Sequence, residues 1–335
     1  MTRASLLQTA TLLSLSLLAC GPAPQEGQAQ TQETQAASVA AASDAAAVPA
    51  GALSVTATTS VIGDFVWAVG GDRVTVQTLV PAGSDAHTFS PSPGSIRTLA
   101  QSRALFANGA GLEGWLDQAS AAAPDVPAYR LAEQLPLHTS ETEAGGGDHT
   151  HGDHDPHAWW DADLAAAYLD EIAATLSQLD PAGAETYRQN ARAYAAEIRS
   201  VDEYGQQQFA ALPPEQRRVA ATHGGLNYFA ERYGLELVGT VIPGLSTERE
   251  PSAQDLAALA TRMREQNVHV ILTENVVAGS DRLAQALAAE TGAVVAPPIY
   301  TDALGPAGSP GETFPGALRH NIDTIVAALK QAAAH

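Results

Sequence analysis

Ser54-Val55-Thr56-Ala57-Thr58 has strand character, and Ile62-Gly63-Asp64-Phe65-Val66-Trp67-Ala68-Val69 starts a helix directly behind it. Val74-Thr75-Val76-Gln77-Thr78-Leu79-Val80 reads as the next strand, followed by a loop, a helix over 95–101 and a strand over 104–107. Strands alternating with helices predict a largely parallel α/β sheet. The alternation resumes at Arg218-Val219-Ala220-Ala221-Thr222, with helices over 225–233, 253–266 and 281–291, strands over 235–241, 268–273 and 293–295, and a closing helix over 315–333. Between the two runs lie a helix over 162–179, capped by Asp161, and a long helix over 185–209. That long helix is the candidate connector between two lobes.

These readings divide the 335 residues into an N-terminal lobe at 51–180, a connector at 181–212 and a C-terminal lobe at 213–335. The length and a 45% hydrophobic composition suit a globular protein with more than one core. Ahead of the lobes, residues 21–50 are Gln, Ala, Thr, Ser and Pro with almost no large apolar side chains, the composition of an unfolded tether. Residues 1–20 read as a secretory signal, with Arg3 ahead of an apolar run and Cys20, the one cysteine in the sequence, at its end. Leu17-Leu18-Ala19-Cys20 resembles a bacterial lipobox, which makes Cys20 the expected lipidation site and places the protein outside the cytoplasm on a lipid anchor. The formal charge of −20 and the lack of a basic patch exclude a nucleic-acid partner.

Four motifs fall just after expected strands or at helix starts, where an α/β sheet presents ligand-binding residues. Pro81-Ala82-Gly83-Ser84-Asp85-Ala86-His87-Thr88-Phe89-Ser90-Pro91 is a restricted loop holding one histidine. Asp155-Pro156-His157-Ala158-Trp159-Trp160-Asp161 places His157 where the chain enters a helix, and the two tryptophans read as packing beneath the site. Thr222-His223-Gly224-Gly225 sets a histidine at a strand end, and Tyr300-Thr301-Asp302-Ala303-Leu304-Gly305 sets a carboxylate after another strand. Any one of these alone is more often a hydrogen-bonded structural residue than a ligand.

Taken in order, the motifs resemble the metal-binding solute proteins of bacterial ABC transporters, the TroA-like or ZnuA-like zinc and manganese family. The resemblance covers nearly all of the chain after the tether and includes Gly244-Leu245-Ser246-Thr247-Glu248-Arg249-Glu250-Pro251-Ser252. Ala86 stands where the family commonly has Pro, and Ser90 where it commonly has Glu. The resemblance implies two similar α/β lobes on one rigid helix, a metal in the cleft between them, and His87, His157, His223 and Asp302 as ligands. It also implies a monomer that hands its cargo to a membrane permease. Three imidazoles and one carboxylate suit zinc, and manganese is the second choice because its binders resembling this chain usually carry Glu in place of His223. Imidazole must be neutral to bind, so affinity is expected to weaken as pH falls through about 6.5.

Glu274, at the end of the 268–273 strand, is an alternative ligand, with hydrogen bonding to loop amides as its competing role. His149, His151 and His154 lie in a loop at 145–154 with no apolar residue to bury, a composition that binds metal weakly; it reads as a low-affinity collector or as a solvated linker. Four protein ligands leave no position for a metal-bound water, and no H-E-x-x-H helix or nucleophile elbow is present, so a carrier is expected rather than an enzyme. The rival reading is a surface adhesion or interaction lipoprotein with a structural metal.

Overall fold

The computed structural model describes residues 51–139, 154–277 and 279–334. The stretches expected to be signal and tether, with Cys20, and His149 and His151 of the loop expected to collect metal, lie outside them. The first half contains β1 (Leu53–Ala57), α1 (Ser60–Gly70), β2 (Val74–Thr78), α2 (Pro93–Leu99), β3 (Leu105–Ala107), α3 (Leu116–Ala122) and β4 (Ala128–Arg130). Two helices follow, α4 (Ala162–Leu179) and α5 (Ala184–Ala210). The second half contains β5 (Arg218–Ala221), α6 (Asn227–Tyr233), β6 (Glu236–Thr240), α7 (Ala253–Glu265), β7 (Val270–Ile271), α8 (Ser280–Thr291), β8 (Val294–Val295) and α9 (Phe314–Ala332).

Both sheets are parallel and share one topology, β2-β1-β3-β4 in the first and β6-β5-β7-β8 in the second. In each, the chain leaves the first strand to one side and later returns to the other, which opens a crevice at the strands' carboxyl ends. The α/β expectation and the long helix are therefore both found. Two elements, α3 and β4, escape the sequence reading. Among the seven residues of α3 only Leu116 is large and apolar, and β4 is three residues directly after Pro127, too little of either to show a period.

The helix starts follow local chemistry. Thr59 accepts from the Ile62 amide at the start of α1. Asp161 accepts from the Asp163 and Leu164 amides at the start of α4, as its position predicted. Ser252 and Asp255 form a reciprocal capping box on α7.

The outer faces of the sheets have separate small cores, around Leu79, Leu99 and Trp115 in one and Leu259, Met263 and Leu287 in the other. The inner faces share one continuous core that includes Val55, Phe65, Trp160, Tyr168, Ile198, Phe229 and Phe314. Helix α5 runs along this shared core, against α1, α4 and α9. Two polar joints reinforce it. The Asp64 carboxylate of α1 accepts from the Tyr194 hydroxyl of α5 and from the Phe314 amide at the start of α9. Arg232 of α6 binds Asp202 of α5 and reaches Asp161 and Asp163 at the start of α4.

Candidate metal centre

His87 lies in the loop after β2, and Asp85 fixes that loop by accepting from the His87 amide at 2.9 Å. The Trp115 indole donates to the Ala86 carbonyl on the other side. His157 enters from the turn before α4. Asp155 holds it twice, accepting from its amide at 3.0 Å and meeting its Nδ1 at 2.7 Å. The turn is itself buried: Asn108 donates to the Pro156 carbonyl while accepting from the Tyr168 hydroxyl. Trp159 packs edge-on against His157 and donates to the Thr301 carbonyl, and Trp160 packs on Phe229 and Phe314. Trp159 thus packs against the site, as expected, and Trp160 lies in the shared core.

His223 follows β5 directly. Glu274, just after β7, accepts from the His223 amide at 3.0 Å, brings its other oxygen 2.6 Å from the ring Nδ1, and accepts from the Thr301 hydroxyl at 2.8 Å. Asp302 follows the parallel bridge between Glu274 and Ile299.

The four residues converge. One donor atom from each of His87, His157, His223 and Asp302 lies within 4.8 Å of the others, and all four side chains are buried. It is the one such group among the described residues. Both Asp302 oxygens face imidazoles: Oδ1 is 3.4 Å from His157 Nε2, and Oδ2 is 3.5 Å from His87 Nε2 and 3.2 Å from His223 Nε2. The Nε2 atoms of His157 and His223 and both oxygens of Asp302 are buried without a hydrogen-bond partner. Leaving so many polar atoms unpaired is costly in a protein interior unless a cation satisfies them. Glu274 is outside the group; it stands behind the His223 ring. His154 is exposed and also outside it, pairing with Thr139 in an antiparallel bridge.

The charges are strongly coupled. Burial raises the Asp302 carboxyl, but His223 and His157 beside it outweigh burial and hold it below the usual carboxylate range. Burial pulls His223 down, but the Glu274 and Asp302 carboxylates overcome it and raise the ring well above the ordinary histidine value. Burial also raises Asp155, and its contacts with His157 more than offset this and leave it lowered. A proton on His223 therefore competes with a cation at a higher pH than the unperturbed value near 6.5 suggests.

Residues 55–328 match the model of the family described as zinc-uptake complex component A, periplasmic. The chain belongs to this family. Its members are solute-binding proteins of ABC transporters, not enzymes. Curated relatives include the manganese-binding lipoproteins MntA of Bacillus subtilis, 30% identical over 83% of this chain and 90% of its own, and of Halalkalibacterium halodurans, 29% identical over 83% and 89%. Among solved structures, the periplasmic zinc-binding protein TroA of Treponema pallidum superposes with a TM-score of 0.75 at 28% identity, covering 83% of this chain and 99% of its own. The Mn-bound periplasmic metal-binding protein of Candidatus Liberibacter asiaticus superposes with a TM-score of 0.71 at 25% identity, over 83% and 99%. Among the described residues no helix is long and apolar enough to cross a membrane.

Proposed function

We propose that this protein captures Zn2+ outside the cytoplasm with His87, His157, His223 and Asp302 and delivers it to an ABC permease for uptake. The observation that carries this reading is the buried convergence of three imidazoles and one carboxylate drawn from both sheets. The cation is cargo. It binds by exchanging its water for the three Nε2 atoms and Asp302, and it leaves when the cleft opens on the permease. The working unit is two lobes, 51–180 and 213–335, on the connector 181–212, and the protein acts as a monomer. Cys20, freed as the N-terminus after removal of residues 1–19, carries the lipid anchor, and residues 21–50 form the tether.

Ligand chemistry favours zinc. Three imidazoles suit Zn2+, with Zn–N distances of about 2.0–2.1 Å, whereas Mn2+ prefers oxygen-rich shells. Manganese is the second reading for two reasons: Asp302 turns both oxygens toward the imidazoles and so offers up to five donors, and several relatives are named manganese-binding. Stripping the protein with a chelator and reloading it from equal Zn2+ and Mn2+, followed by elemental analysis, decides between them. Zinc at one equivalent is the expected result. Predominant manganese would move the assignment to the second reading, and no exchangeable cation would sink the carrier reading altogether.

A further inference from the structure

Asp85 has a second partner besides the His87 amide: it also accepts from the hydroxyl of Thr247. Thr247 belongs to the other half of the molecule, in the turn between β6 and α7. The Ser246 hydroxyl shapes that turn by accepting from the Glu248 amide. Three residues earlier, the Gly244 carbonyl accepts from the amide of Gly224, the residue next to His223. Gly244 has φ +106°, a conformation that favours glycine, so the strap is bent at its root. Residues 244–247 therefore run from the neighbour of one histidine to the carboxylate that fixes the loop of another. Thr247 is half-buried and adds no donor to the cation group.

We infer that Thr247 is a positioning residue for the cation site: its hydrogen bond to Asp85 latches the His87 loop to the second half and slows cation release. The inference rests on the cation-carrier reading above. A cation held by His87 and His223 at once leaves most easily when the two loops part, and the Asp85–Thr247 bond spans that parting. The strap then stays with His223 through Gly224, while Asp85 leaves with His87. A hydrogen bond to a carboxylate is stronger than one between neutral groups, so its loss falls on the dissociation rate more than on association.

The test uses the full chain loaded with Zn2+ and chased with excess chelator in a stopped-flow instrument. Thr247→Val keeps the shape and removes the hydroxyl, and it should release zinc about tenfold faster with a nearly unchanged association rate. Thr247→Ser restores the hydroxyl and should restore the slow release, which a purely packing role for the methyl group would not predict. In an Asp85→Ala background, Thr247→Val should add nothing further. Equal release from the wild type and Thr247→Val, or an unaltered effect of Thr247→Val in the Asp85→Ala background, overturns the latch. Failure of the wild type to bind zinc or manganese would overturn the carrier reading instead, so the two failures are distinguishable. If Thr247→Val proves unstable, Thr247→Ala takes its place both alone and in the Asp85→Ala background, with the same expected and overturning results.

Discussion

His157 takes its supporting carboxylate from Asp155, two residues away in the same turn, whereas His223 takes its own from Glu274, 51 residues on and past the end of the neighbouring strand. Two sheets of the same topology thus support their buried histidines in different ways. In the first half, support is local: Asp155 for His157 and Asp85 for the His87 loop, each two residues from its histidine. In the second half it is tertiary, built where the end of β5 lies beside the end of β7. For His157 and His223 alike, a carboxylate behind Nδ1 fixes the ring so that Nε2 faces the other donors, an arrangement that raises the basicity of a metal-binding imidazole. The lesson is that a supporting carboxylate two residues away can be read from a motif, and one 51 residues away needs the sheet.

The largest effect is expected at the four converging side chains themselves. An apparent binding energy of about 10–16 kcal/mol shared among four ligands gives each roughly 3 kcal/mol, so His223→Ala should cost about a hundredfold or more in zinc affinity. His149→Ala should cost almost nothing by comparison, and equal losses in a calorimetric titration would refute the site. The joint between the halves comes next. Burial raises the Asp64 carboxyl to about 6, against the hydrogen bonds from Tyr194 and the Phe314 amide and with a further upward push from Glu197. Because the folded value lies above the unfolded value of 3.8, stability is highest below pH 4 as far as this group is concerned. It falls between about pH 4 and 6 and is flat above, a loss of about 3 kcal/mol at roughly 1.4 kcal/mol per pKa unit. Asp64→Asn should remove that slope from denaturant melts of the metal-free protein across this range; an unchanged slope would assign it to other groups.

The supporting carboxylates give the next largest effect. Glu274→Ala and Asp155→Ala should each weaken zinc binding by about 10- to 100-fold. Glu274→Ala should lie at the upper end: both carboxylates hold their histidine's amide, but Glu274 also accepts from Thr301, the residue before Asp302, whereas the bond from Asn227 to Asp155 adds little ring support. A reversed order in competition titrations would mean that the local support matters more than the tertiary one. The smallest effect is expected from deleting residues 145–154 with His157 kept: cleft affinity should not change, and uptake at scarce zinc should fall. Unchanged uptake would leave that loop as a linker.

The shared inner core separates the halves less than the sequence suggested. Phe65 of the first half and Phe314 of the second pack edge to face at 5.0 Å, and Asp64 binds the amide of Phe314 itself. The period of apolar residues along a helix shows that a face is buried without showing against what. The same limit hides Arg232, whose three carboxylate partners lie on two other helices.

Sequence alone was enough for the alternation of strands and helices, the Asp161 cap, the long helix and the four motifs whose buried side chains converge. Each of these is local: it depends on residues within a few positions, through backbone preference, capping or a rigid turn. The tertiary structure decided which carboxylate supports His223, that Asp302 turns both oxygens toward the imidazoles, and that Asp85 reaches Thr247. Those are contacts between segments distant in the chain. They exist only after the two parallel sheets bring their carboxyl ends together, because strand order and the shared core, rather than residue spacing, fix which loops become neighbours.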